Sequence, residues 1–283
     1  MNIPRYWARA TETVQHASGK TASFSCWHWS NVSVLDARQK ASARAETLAW
    51  KLVNNQKLER YGYGVRPIRE EICEGITNRK HNELGIVTRN AYGALILNAA
   101  NVMFIDIDFA SGQGGGLRGI ILRLMGKVPV SQTERHLQHI AQWAAEHPQV
   151  GMRVYRTFGG LRCLITNEVF DPTQESSLDI MRTLQCDPLY VKLCQSQECF
   201  RARLTPKPWR CRVSNPPVRY PWPNKGDEQK QRQWENWYTQ TASAFTVCRL
   251  IEQLGNSRVH PDVKPIMAFH DKIACSGPEL ELA

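Results

Sequence analysis

The chain has 283 residues, 42% of them hydrophobic and 22% charged, enough for one large domain or two small ones around a real core. Its 36 Lys and Arg against 26 Asp and Glu leave a formal net charge of +10, which favours a polyanionic partner such as nucleic acid or nucleotide phosphates. The nine cysteines include no Cys-x-x-Cys pair, no apolar run approaches membrane-spanning length, and Met1-Asn-Ile-Pro-Arg-Tyr-Trp7 is no signal peptide. A zinc finger, a disulfide framework and a membrane span are therefore not expected, and a cytoplasmic chain with reduced thiols is.

Residues 1–34, rich in Ser, Thr and Trp, read as one or two strands with a hairpin turn at Ser18-Gly19. His28, between Trp27 and Trp29, reads as a packed strand residue rather than a ligand. From Asp36, which suits an N-cap, Ala41, Ala45, Leu48, Ala49, Leu52 and Val53 keep helical spacing until Tyr61-Gly-Tyr-Gly64 breaks the pattern. Arg66–Cys73 suits a short helix with Pro67 in its first turn, and residues 79–83 form a charged connector. Residues 84–88 and 94–98 read as strands joined by Arg89-Asn-Ala-Tyr-Gly93.

The run Asn101-Val-Met-Phe-Ile-Asp-Ile-Asp-Phe109 follows, of strand length and β-branched character. The Gly-rich residues 110–119 lack both the G-x-G-x-x-G order and the Walker lysine, so they read as a flexible connection. A capping box of Ser131 and Glu134 opens a helix with Leu137, Ile140, Ala141 and Ala144 on one face and Pro148 as its end, leaving His136 and His139 as a solvated pair. Residues 151–155 and 161–166 form a hairpin through Gly159-Gly160, and Asp171-Pro-Thr-Gln174 opens another helix. Prolines from Pro206 to Pro223 mark an extended stretch. A long helix from about Glu228 to Leu254, with Trp234, Trp237, Tyr238, Phe245, Cys248 and Ile251 on its apolar side, stops at Gly255.

Three features can carry chemistry. Asp106 and Asp108 project from the same face of their strand, opposite Ile105, Ile107 and Phe109. Like charges side by side need a cation or basic groups, and paired hard oxygens suit Mg²⁺ or Mn²⁺; the bland alternative is the exposed end of a strand. The second feature is Arg153-Val-Tyr-Arg-Thr-Phe-Gly-Gly-Leu-Arg162, with three arginines and no acid. The third is Asp187, followed by a segment from Cys199 to Gly226 with seven Lys or Arg and no acidic residue. Such a run is either a solvated basic face or, interleaved with Phe200, Thr205 and Trp209, a phosphate-recognition surface.

In this order the motifs resemble the archaeo-eukaryotic primase superfamily, and the whole chain resembles a bacterial family. Phe104-Ile-Asp-Ile-Asp108 is similar to that superfamily's hDhD strand, Arg156-Thr-Phe-Gly-Gly-Leu-Arg162 to its Gly-rich hairpin, and Asp187 with Phe200–Pro206 to its third motif. The resemblance covers roughly residues 84–212 and implies an α+β fold with an RRM-like antiparallel sheet flanked by helices. It divides the chain into residues 1–83, a primase-like core of 84–212, and an extended segment and helix of 213–283. It also implies a metal-dependent nucleotidyltransferase, acting on a nucleoside triphosphate and DNA or RNA. Asp106, Asp108 and Asp187 would hold Mg²⁺ or Mn²⁺, with Arg156, Arg162, Arg201, Arg203 and Lys207 on the phosphates.

One departure matters, because Arg162 stands where the superfamily has a histidine. Arginine still binds phosphate, but polymerisation is put in doubt. The rival expectation is a catalytically inactive primase-like module that binds nucleotide or nucleic acid. A haloacid-dehalogenase-type phosphatase lacks its later acidic pair here, and a glycosyltransferase should open with a strand–helix nucleotide-binding unit.

Overall fold

Eight strands build two four-stranded antiparallel sheets, and the computed structural model describes them within residues 1–15, 19, 21–57, 66–109, 131–277 and 279–283. An N-terminal hairpin of β1 (Tyr6–Gln15) and β2 (Thr21–Ser30) packs against α1 (Val34–Val53) through Ala37, Ala41, Ala45 and Ala49. Ser33 rather than Asp36 caps α1, and Asp36 donates its own N–H to the Ser33 hydroxyl. The expected break at residues 61–64 and the Gly-rich connection lie outside the described residues.

The first sheet has the order β3-β4-β5-β9, with β3 at Glu71–Thr77, β4 at Glu83–Arg89, β5 at Leu95–Ala99 and β9 at Phe200–Arg203. The short helix expected over Arg66–Cys73 is absent. Residues 66–70 run extended because the Gln197 side-chain amide donates to the Arg66 carbonyl and accepts from the Ile68 N–H. The buried Glu70 carboxylate then takes two hydrogen bonds from Arg201, at 2.8 and 2.9 Å. Backbone groups held this way have no helical partner to gain.

The second sheet has the order β11-β7-β8-β6. Its strands are β6 (Phe104–Asp108), β7 (Gly151–Thr157), β8 (Gly160–Ile165) and β11 (Cys248–Gly255). The helix α2 (Gln132–Glu146) opens with the complete Ser131/Glu134 capping box, and His136 stacks on Phe109 rather than standing in water. That stack puts α2 over the face that carries Ile105, Ile107 and Val154. The other face holds the cross-strand row Leu250, Tyr155, Arg162 and Asp106 and is covered by α6 (Val263–Ala274), whose Asp271 accepts from Tyr155 and Arg153.

Residues 243–254 are therefore not the end of a long helix. Helix α5 (Lys225–Ala242) stops at Ser243, the two-residue β10 (Phe245–Thr246) follows, and β11 completes the sheet against β7 with a bulge between Leu250 and Glu252 that leaves Ile251 exposed. An unpaired edge of β7 offers a row of backbone partners that outweighs the helical spacing of Phe245, Cys248 and Ile251. Gly255 has a φ of +67°, and a side chain there would meet the Val150 carbonyl at 2.0 Å. Both sheets draw strands from outside residues 84–212, since β3 precedes that stretch and β11 follows it. Helix α3 (Glu175–Thr183) begins a turn later than expected, because Asp171 closes a local turn onto Thr173 instead. Among the described residues no helix is long and apolar enough to cross a membrane.

One hydroxyl joins the two sheets. Helix α4 (Pro188–Gln197) carries Tyr190, whose buried hydroxyl lies 2.7 Å from the Arg201 carbonyl on β9 and 3.0 Å from the Phe104 carbonyl on β6. It also accepts from the Arg201 N–H at 3.1 Å. The outer edge of β6 is further closed by the Asp187 N–H, which donates to the Asp106 carbonyl at 2.9 Å. Tyr190→Phe leaves these backbone groups unpaired in the interior and should lower stability by about 1–3 kcal/mol. An unfolding free energy from urea titration within about 0.5 kcal/mol of wild type would remove Tyr190 as the joint between the sheets.

Candidate functional site

Asp106 and Asp108 emerge where the two sheets meet, at the wall of a cleft of about 410 Å³. Strand β8 comes close to β6 at this point because residue 160 is glycine; a Cβ there would sit 1.8 Å from the Ile107 carbonyl. Arg162, two residues on, faces Asp106 directly. Its Nε donates to Oδ1 at 2.8 Å and its Nη2 to Oδ2 at 3.3 Å, while Nη1 donates to the Arg203 carbonyl at 3.0 Å. Nη1 also lies 3.2 Å from Nε2 of the buried His270.

Arg162 is 1% exposed, so burial works against its charge. The attraction of Asp106 and its hydrogen bonds outweigh that burial and hold the Arg162 pKa above its ordinary value. Burial also depresses the His270 pKa, which keeps its ring neutral and lets Nε2 accept from Arg162. Its Nε, Nη1 and Nη2 all reach partners within the protein, and in this arrangement the guanidinium neutralises Asp106.

The three carboxylates do not assemble into a preformed cation cage. Among the described residues, the one group of three or more acidic, His or Cys donors within 4.8 Å of one another is Cys248, His270 and Cys275. Asp106 is turned onto Arg162, and Asp187 caps α4 by accepting from the Leu189 N–H at 3.0 Å. Asp108 is different: no hydrogen bond or ion pair reaches its carboxylate from the described residues. Partial burial raises its pKa, and the negative charges of Asp106 and then Asp187 raise it further. As arranged, the donor set does not fit the Mg²⁺ or Mn²⁺ site that the resemblance implies.

The basic residues divide the same way. Arg156 points to the opposite face of the sheet, where it lies over the Phe109 ring and donates to the Thr157 and Gly160 carbonyls. It steadies the β7–β8 turn and does not line the cleft. Arg201 borders the cleft but is buried in its pair with Glu70. Arg203, Lys207 and Arg210 line the cleft. Among the described residues none of them pairs with an Asp or Glu side chain, and Arg203 Nη1 donates to the Ala283 oxygen at 3.5 Å. Burial lowers the pKa of all three; after burial, Arg162 depresses Arg203, and Arg203 depresses both Lys207 and Arg210.

Arg210 was not singled out from sequence. It lies in the seven-cation run, but nothing in the spacing separates it from Arg212, whose left-handed backbone follows the 3₁₀ turn at Pro208–Cys211. That turn aims Arg210 over the exposed Phe158 ring at 4.0 Å and Lys207 over the exposed Trp209 ring at 5.6 Å. Tyr92 meets Trp209 edge-on at 5.2 Å. Two of the cleft's cations, Lys207 and Arg210, thus each lie against an exposed aromatic ring.

Arg162→Met should lower stability by about 3 kcal/mol, the low end for breaking a buried pair, because Asp106 remains 30% exposed. Asp106→Asn should add much less in that background than in wild type, a coupling of at least about 1 kcal/mol. Additive losses in urea unfolding would mean that the two side chains do not act as a pair.

Comparison of the chain with protein-family models, with curated proteins and with solved structures finds no match.

Proposed function

We propose that the cleft between the two sheets binds the phosphates of a nucleotide or a nucleic-acid strand, and that the protein is a primase-like binding module rather than a polymerase. The observation that carries this reading is the trio Arg203, Lys207 and Arg210, three cations in one cleft that pair with no Asp or Glu side chain among the described residues. Each is depressed by burial and by a neighbouring cation, so an arriving anion relieves repulsion already present. Exposed Phe158 and Trp209 beside them offer stacking surfaces that every base can meet. The order β6, α2, β7, β8, α3, α4, β9, with β9 beside β6 through Tyr190, supports the RRM-like reading of this part of the chain. The engagement of Arg162 with Asp106 weighs against catalysis, since it occupies a carboxylate that an ion would need.

A second reading, a metal-dependent nucleotidyltransferase, is favoured by one specific feature. Asp108 has no partner among the described residues and faces the same cleft as the cation trio, so it is the carboxylate that would be free to hold a divalent ion if Asp106 left Arg162 on binding.

Fluorescence anisotropy with a labelled single-stranded oligonucleotide tests the first reading. Lys207→Ala and Arg210→Ala should each weaken binding about tenfold and reduce the slope of log K against log salt by about 1. Arg38→Ala, on the exposed face of α1, should do neither. Affinity and salt slope unchanged in both cleft variants would end the phosphate assignment. Pyrophosphate release with Mn²⁺ and nucleoside triphosphates, abolished by Asp108→Asn, would favour the second reading instead.

A further inference from the structure

Behind the cleft, on the far side of Arg162, three soft donors meet. Cys248 begins β11, His270 lies on the inner face of α6, and Cys275 follows its last turn. The Cys248 sulfur is 3.4 Å from that of Cys275 and 3.8 Å from His270 Nε2, and all three donor atoms lie within 4.8 Å of one another. Zinc bonds of about 2.3 Å to sulfur and about 2.0 Å to nitrogen, set tetrahedrally, place sulfurs about 3.8 Å apart and sulfur and nitrogen about 3.5 Å apart. The two edges at Cys248 already stand close to those values, and the third lies within 4.8 Å.

The histidine is also held in the tautomer such a site requires. Its Nδ1 lies 3.0 Å from Asp271 Oδ1, and the same carboxylate accepts from Tyr155 at 2.8 Å and is paired with Arg153. With the proton kept on Nδ1, Nε2 is the acceptor atom of the ring, 3.2 Å from Arg162 Nη1 and 3.8 Å from the Cys248 sulfur. A carboxylate behind a ligating imidazole is the usual support for a zinc-bound histidine.

We propose that Cys248, His270 and Cys275 bind a zinc-class divalent cation. The donor set is soft, two thiolates and an imidazole, and selects zinc over magnesium or calcium. Two thiolates cancel the charge of the ion, so the occupied centre adds no net charge beside the Arg162 guanidinium. Arg162 gives up its contact with Nε2 on loading but keeps Asp106 and the Arg203 carbonyl. Cys275 is only partly buried, which gives an entering ion a path and leaves a fourth position toward solvent. The bound ion would tie the end of α6 to β11 and brace the wall against which Arg162 rests. The site stands independently of what the cleft binds.

Cobalt titration of the reduced, metal-free protein tests this by absorption. Wild type should take up one equivalent, with thiolate-to-cobalt charge transfer in the near ultraviolet and the intense visible bands of a tetrahedral ion. Cys275→Ser and His270→Gln should lose those bands, and Asp271→Asn should weaken binding by about 10–100-fold. Cys73→Ser, at an exposed remote cysteine, should match wild type. Melting curves recorded beside each titration separate lost binding from lost folding, and the partly exposed Cys275 is the ligand whose replacement disturbs the core least. No bands in reduced wild type, or the same bands in a folded Cys275→Ser, would overturn the assignment.

Discussion

The buried guanidinium of Arg162 on the carboxylate of Asp106 is the contact around which the rest of the molecule is arranged. A charge this deep is tolerable only with its donors satisfied, and four surfaces supply what it needs. Asp106 on β6 provides the countercharge, Arg203 on β9 a carbonyl, His270 on α6 a neutral ring nitrogen, and Tyr155 on β7 the neighbouring wall. The pair therefore fixes where β9 and α6 stand against the second sheet. Tyr190 fixes the same junction from the other side by holding the facing edges of β6 and β9. The cleft exists because these two fastenings hold the sheets together at one level and leave them apart above it.

The same contact divides the charged groups into those that hold the fold and those that face outward. Arg162, Arg201, Asp106 and Glu70 are matched within the protein, and Arg156 steadies a turn. Among the described residues, what remains in the cleft without an oppositely charged side chain in contact is the cation trio and Asp108. Part of the chain's excess of positive charge is thereby placed where ligand can reach it, flanked by rings that can stack. Behind the wall, Cys248, His270 and Cys275 continue the same network through His270, so the cleft wall and the sulfur cluster share one buried imidazole.

Much of the local structure was legible in the residues. The Asp106 strand, the two hairpins flanking it and the Ser131 capping box all follow from alternation and short-range cap chemistry, which depend on neighbours in sequence. What could not be read depends on distant partners. Arg66–Cys73 satisfies helix rules locally but is pulled straight by Gln197 and Arg201, more than a hundred residues away. Cys248–Gly255 carries helical spacing, yet the open edge of β7 makes it a strand. The site behaves likewise: Asp106, Arg162 and Lys207 were identifiable as charged groups near one another, but which charges cancel is decided by burial and by register. The Cys248–His270–Cys275 cluster has no local spacing at all, since its strand and its helix meet only in the folded chain.

The structure of the protein bound to inorganic triphosphate, solved with Mn²⁺ present, examines this division of charges most directly. Phosphate oxygens should lie within hydrogen-bond reach of Arg203, Lys207 and Arg210, with Arg162 still on Asp106 at the distances of the free protein. A phosphate held by Arg162, with Asp106 released onto the manganese beside Asp108 and Asp187, would show that the buried pair is a resting state of a catalytic site and not the fixed frame of a binding one.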